Sequence, residues 1–164
     1  MRQGTVSVLI GCHSPVHSYY VWKAWRKLYG KWPSFRETGC IAIHDIGHWG
    51  KDYLTDYEQK KRHWELGARV AKRLFGEYGY RMVAGHCEYA GIPLSPLYKA
   101  DKYSWALAPY WWLMTHRTTE PKLARSNMKR SDDVRKFMKE VRENVESGTW
   151  ASTHSIWMRS QHVE

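Results

Sequence analysis

The chain has 164 residues, 43% of them hydrophobic, with a formal net charge of +10. That is enough length for one compact domain with a real core, and the charge points to anionic partners: nucleotides, other phosphoesters, nucleic acid or an anionic surface. Three cysteines (Cys12, Cys40, Cys87) without CxxC spacing argue against a disulfide framework and fit a reducing compartment. No segment approaches the ~18 to 20 apolar residues of a membrane span, and the run Thr5–Ile10 is too short for a signal-peptide core. A cytoplasmic protein without a membrane partner is therefore expected.

In chain order, Thr5–Ile10 alternates enough for a short strand, or for an N-terminal arm packed on helices. Helical periodicity then runs over Pro15–Tyr29, Phe35–Gly47, Tyr57–Phe75, Tyr80–Tyr89 and Pro96–Ala108. Ser34 and Glu37 form a capping-box signature, and turn signals occupy Gly30–Pro33, Gly50–Thr55, Gly76–Gly79 and Gly91–Pro96. Ala108–Met114, with Pro109, Trp111 and Trp112, reads as a bend with a bulky wedge. The basic stretch from about 115 to 164 holds one more helix, Asp132–Glu146, with Ser131 as N-cap and Gly148 as its end. Trp150, Ile156 and Trp157 look like apolar anchors in that extension. An all-α helical bundle of about five core helices plus a C-terminal helix, in one domain spanning 1–164, is the expected fold.

Along these helices lie His17, the adjacent pair His44-Asp45, His63, His86 and Asp101, each on the apolar side of its stretch. His17 lines up with Tyr20, Val21, Ala24 and Leu28; His63 with Leu66, Gly67, Val70, Ala71 and Leu74; Asp101 with Leu97, Tyr98, Ser104 and Trp105. Buried imidazoles and carboxylates are costly unless paired or metal-bound, so inward placement of all six predicts one shared polar centre. His13, His116, His154 and His162 lack such a face and read as surface or loop residues; His13 is an alternative to His17 as first ligand, but it precedes the helix start at Ser14-Pro15, so His17 is preferred. Glu88 is a candidate acceptor for the far N–H of His86.

The ordered set resembles the HD-domain superfamily of metal-dependent phosphohydrolases. The resemblance covers about Ser14 to Leu107, an HD-like core of about 14–107, and rests on "HSYYVWKAW", "HDIGHWGK", "HWELGARVAKRLFG", "GHCEYAGIP" and "YKADKYSWAL". The third and fourth segments are similar to those of HD-GYP-type enzymes. Cys87 stands where those enzymes often carry a second His, His48 where they carry Lys, and "GIP" matches their signature only in part. The resemblance implies a dinuclear site bridged by Asp45, with His17, His44 and Asp101 on one ion and His63 and His86 on the other. Imidazole and carboxylate donors suit Mn or Fe, with Co, Ni or Zn as alternatives, over Ca or Mg alone. Two such ions would activate a water for attack on phosphorus.

His48 is the candidate for a phosphate contact or a general acid, against a structural hydrogen bond. Lys51 is a candidate for binding an anionic substrate, against a solvated surface lysine; Lys99 and Lys102 flank Asp101 off its face, and either is a candidate phosphate contact. A small phosphorylated substrate, most simply a nucleotide, is favoured over nucleic acid, because the chain leaves little room for a separate nucleic-acid domain. Two alternatives stay open. Diiron oxygenases of the myo-inositol-oxygenase and phosphonate-cleaving kind resemble the same pattern, and a basic, aromatic-rich binding module would share the composition. Ten tryptophans and eleven tyrosines also leave a homo-oligomer open.

Overall fold

In the computed structural model, which describes residues 2–51, 56–119 and 131–148, every regular element is helical. The first is α1 (Gln3–Leu9). The strand reading of Thr5–Ile10 is thus corrected, while the packed arm is present: Gly4 N donates to Lys51 O at 2.8 Å, docking α1 beside the His48 turn. Such docking overrides a weak β-alternation. Helix α2 (Pro15–Tyr29) opens on Ser14 and Pro15, whose fixed φ suits the first helical position, and closes on Gly30 in the left-handed region. It buries His17, Val21, Ala24 and Trp25 along one stripe.

Helix α3 (Phe35–Ile43) starts with the predicted capping box: Ser34 N donates to Glu37 Oε2 at 2.5 Å and Glu37 N to Ser34 Oγ at 3.3 Å. It stops four residues before the predicted end at Gly47. Asp45 leaves the helix at φ −97°, ψ 3°, and Ile46–His48 winds as a single 3₁₀ turn. His44 and Asp45 are therefore splayed by a helix end.

A short helix α4 (Tyr57–Lys61), capped by Asp56, breaks at Arg62 and His63 before α5 (Trp64–Ala84). A straight helix of that length would be about 31 Å long, yet its flanking residues His63 and His86 touch. The chain reverses at Gly76 (φ 68°, ψ −155°), a conformation open to glycine alone. The result is two antiparallel arms, close to the separate helices predicted on either side of Gly76. The arms pack so tightly that a β-carbon on Gly79 would lie 2.4 Å from Ala71 O, and α3 presses as closely on the first arm, where one on Gly67 would lie 2.7 Å from Ile43 O. The buried residues are accordingly Gly67, Ala68 and Ala71 on the first arm and Gly79, Met82, Val83 and Ala84 on the second. Leu74, predicted to be among them, is 61% exposed, and Leu66 also faces outward.

Helix α6 (Pro96–Leu107) lies against α2, α3 against α5, and α8 (Ser131–Glu146) against α6. Val21, Ala24, Ile41, Ala68, Val83 and Leu97 meet between them; truncating a buried leucine such as Leu97 to alanine costs about 2–5 kcal/mol. The bend predicted over Ala108–Met114 is confined to Ala108 and Pro109, after which α7 (Tyr110–Thr119) is helical. Its Trp112 and Leu113 join Cys12 and Val134 in a second apolar cluster. Gly148 closes α8 at φ 73°. Trp150, Ile156, Trp157, His154 and His162 lie outside the described residues. Among the described residues no helix is long and apolar enough to cross a membrane.

Candidate metal centre

Four segments bring the histidines and aspartates together. His17 comes from the first turn of α2, His44 and Asp45 from the end of α3, and Asp101 from the middle of α6. His63 and His86 come from the two feet of the α5 hairpin, His86 standing in the turn beyond Ala84 rather than inside a helix as predicted. His17, His44, Asp45, His86 and Asp101 are buried, and His63 is half-buried.

Asp45 divides them. Its Oδ2 lies 3.1 Å from His44 Nε2 and 3.4 Å from His17 Nε2; its Oδ1 lies 3.6 Å from His86 Nε2 and 3.8 Å from His48 Nε2. Asp101 Oδ1 joins the first group, at 2.9 Å from His17 Nε2 and 3.8 Å from His44 Nε2. His17, His44, Asp45 and Asp101 each offer a donor atom within 4.8 Å of the others, as do Asp45, His63 and His86. Both groups could hold a metal ion.

The ring orientations strengthen this. His44 Nδ1 faces Ile41 O at 2.6 Å, His63 Nδ1 faces Lys60 O at 2.7 Å, and His86 Nδ1 faces Val83 O at 2.5 Å. A carbonyl only accepts, so each Nδ1 carries the proton and each Nε2 presents a lone pair inward. Ser104 spends its hydroxyl proton on Asp101 O at 2.5 Å, so its oxygen can accept from His17 Nδ1, a long 3.4 Å away. The outcome is lone pairs facing one another: His63 Nε2 and His86 Nε2 stand 3.0 Å apart. His44 Nε2 makes no well-aligned hydrogen bond to either nearby carboxylate. Such an arrangement requires a cation or a proton at its middle.

Charge tells the same story. Burial opposes charging the His44 ring, but the Asp45 and Asp101 carboxylates outweigh it and raise its pKa to about 10. The space between the two acids therefore favours positive charge. Burial likewise opposes ionisation of Asp101, and Lys102 with His17 and His44 more than offsets it, holding the carboxyl well below its usual range. The Asp45 carboxyl is also held well below the usual range, burial being outweighed by His44 and His13. On the other side, burial and His86 push His63 down to about 4, keeping it neutral and able to donate a lone pair.

Lys102 Nζ sits 2.9 Å from Asp101 Oδ2, and its side chain is 32% exposed at the rim. Lys51 and Lys99 are exposed. Glu88, expected behind His86, accepts instead from the Tyr98 hydroxyl, and Val83 O holds His86. Two histidines expected at the surface or in loops are packed inward, His13 in a loop as expected and His116 on a helix. His13, in the bend before α2, packs on His48 with ring centroids 3.9 Å apart. His116 is buried edge-on against Trp112 at 4.3 Å. His116 follows Trp112 and Leu113 at helical spacing on the buried side of α7, a signal that reading Ala108–Met114 as a bend hid, and the sequence signal for His13 is its position four residues ahead of His17. No family model, curated protein or solved structure matches the chain. The chemistry of the centre therefore follows from its own donors.

Proposed function

We propose that the chain is a metal-dependent phosphohydrolase of the HD type, cleaving a phosphoester or phosphoanhydride of a nucleotide or similar small phosphorylated substrate. The observation that carries this reading is Asp45, which turns one carboxylate oxygen to His17 and His44 and the other to His86. A carboxylate placed that way suits a bridge between two ions.

His17, His44, Asp45 and Asp101 would hold the first ion, and Asp45, His63 and His86 the second. Divalent Mn or Fe fits these donors best, with Co, Ni or Zn as substitutes, and bound there supplies hydroxide at neutral pH and neutralises charge on phosphorus. Lys102, paired with Asp101 yet reaching the rim, is placed to meet a substrate phosphate oxygen, and the net charge of +10 favours the approach of anions. Lys51 is an outer contact of the same kind. Trp49, 51% exposed beside His48, offers a ring face to a base. His48 would serve as a phosphate contact or as the general acid; burial and the neighbouring His13 and His63 hold its pKa well below 6.5, which favours the first of these roles. Water within the centre is the better proton source.

Metal analysis joined to a phosphate-release screen over nucleoside mono- and triphosphates and cyclic nucleotides tests the proposal. Chelator-sensitive release supports it. A metal-loaded protein that releases no phosphate from any of them but consumes dioxygen would instead place it with the diiron oxygenases, whose donor set is the same.

A further inference from the structure

His13 stands outside the two groups just assigned, in the bend between α1 and α2. Ser7 Oγ lies 2.7 Å from its Nδ1, and Ser7 is fully buried on α1. The ring direction is thus set by a core contact. Its face packs on His48 with centroids 3.9 Å apart and planes tilted by 33°. His48 is itself buried, stacks on His63 at 4.6 Å on its other side, and points Nε2 to Asp45 Oδ1 at 3.8 Å. Packing alone would be served by apolar rings at lower desolvation cost. Instead one nitrogen of His13, one nitrogen of His48 and one oxygen of Asp45 converge within 4.8 Å of one another. Donors bonded to one transition ion at about 2.0–2.2 Å stand about 3–4 Å apart, so small side-chain rotations close the group on an ion.

The geometry points to a third cation position formed by His13, His48 and the Asp45 carboxylate, on the α1 side of the centre. It rests on the dinuclear reading above, because Asp45 is common to all three groups. Two imidazoles and one carboxylate select a divalent transition ion over Ca or Mg, and leave several coordination positions open to an anionic ligand. His48 becomes a metal ligand in this arrangement, and α1, through Ser7, becomes the element that holds the third position in shape.

Crystals of the full chain soaked in Mn(II) alone, with anomalous maps at the manganese edge, test this directly. Three peaks are expected, the third within about 2.0–2.3 Å of a His13 and a His48 nitrogen. In solution the Mn content should fall from three ions per chain to two in His13→Gln. Two peaks with none between His13 and His48 would overturn the third position and leave the dinuclear reading standing. Three ions retained in a folded His13→Gln would also overturn it. Loss of all peaks would remove both readings together. Should His13→Gln fail to fold, the map of the parent protein decides alone.

Discussion

A β-carbon on Gly47 would lie 1.4 Å from the carbonyl oxygen of His63. The 3₁₀ turn that follows Asp45 is thus pressed against the backbone of the chain break that presents His63, with no room for any side chain. Gly47→Ala has to push these two segments apart. Overpacking of this kind costs about 1–3 kcal/mol, and the displaced group is a candidate ligand. The variant should lose that much stability in urea denaturation and bind the second ion more weakly than the first. An unchanged midpoint with full metal content would show that the contact is not a constraint.

Asp45→Ala removes the one group shared by every donor set in the centre. Metal content after purification and dialysis should drop to near zero, not by a single ion. Retention of either ion at parental affinity would contradict the shared-carboxylate geometry.

Substitutions on the two sides of Asp45 should separate. His86→Gln takes a donor only from the group with His63, and His17→Gln only from the group with His44 and Asp101. Each variant should lose one ion relative to the parent protein and keep the ion on the opposite side of Asp45, and phosphate release should fall by on the order of a hundredfold or more in both, since both ions are proposed to act on phosphorus. Identical loss of all metal in the two variants would mean a single, indivisible site.

His116 sets a pH dependence of stability independent of metal. Both of its ring nitrogens are buried without a hydrogen-bond partner among the described residues, and burial, aided by His17, lowers its pKa from 6.5 to about 4. In the unfolded chain the ring protonates at its ordinary value, so the folded state loses ground as pH falls from about 6.5 towards 4. The penalty is on the order of 2 kcal/mol. His116→Phe should flatten that part of the curve when chelator-treated parent and variant are unfolded in urea at pH 7 and pH 5. Equal pH slopes would mean that another group, such as His63, accounts for the acid limb.

The all-α architecture, the Pro15–Tyr29 helix and the Ser34–Glu37 cap were legible because they depend on local spacing and capping chemistry. The gathering of the six inward His and Asp residues was legible for the same reason: buried polar groups on separate apolar stripes have few places to go. What escaped the sequence depends on tertiary contact. Nothing local tells that Val83 O, rather than Glu88, orients His86, or that Ser7 holds His13. Leu66 and Leu74 were placed inward by hydrophobicity, but the close approach of α3 and of the second arm leaves Gly67, Ala68 and Ala71 as the buried residues of the first arm. Alternation around Val6 and Val8 suggested a strand where docking against the His48 turn makes a helix.

The reversal at Gly76 gives the two halves of the centre different folding histories. His63 and His86 are joined by a short local hairpin, whose closure entropy is small. His17, His44 and Asp101 must be collected from three distant stretches of chain. The hairpin pair can assemble early and persist late, while the other group exists only when α2, α3 and α6 are all docked. Gentle denaturation that undocks α2 or α6 while α3 stays packed on the hairpin should therefore release the ion at His17 first and the ion at His63 last, since the latter needs only Asp45 beside the hairpin pair.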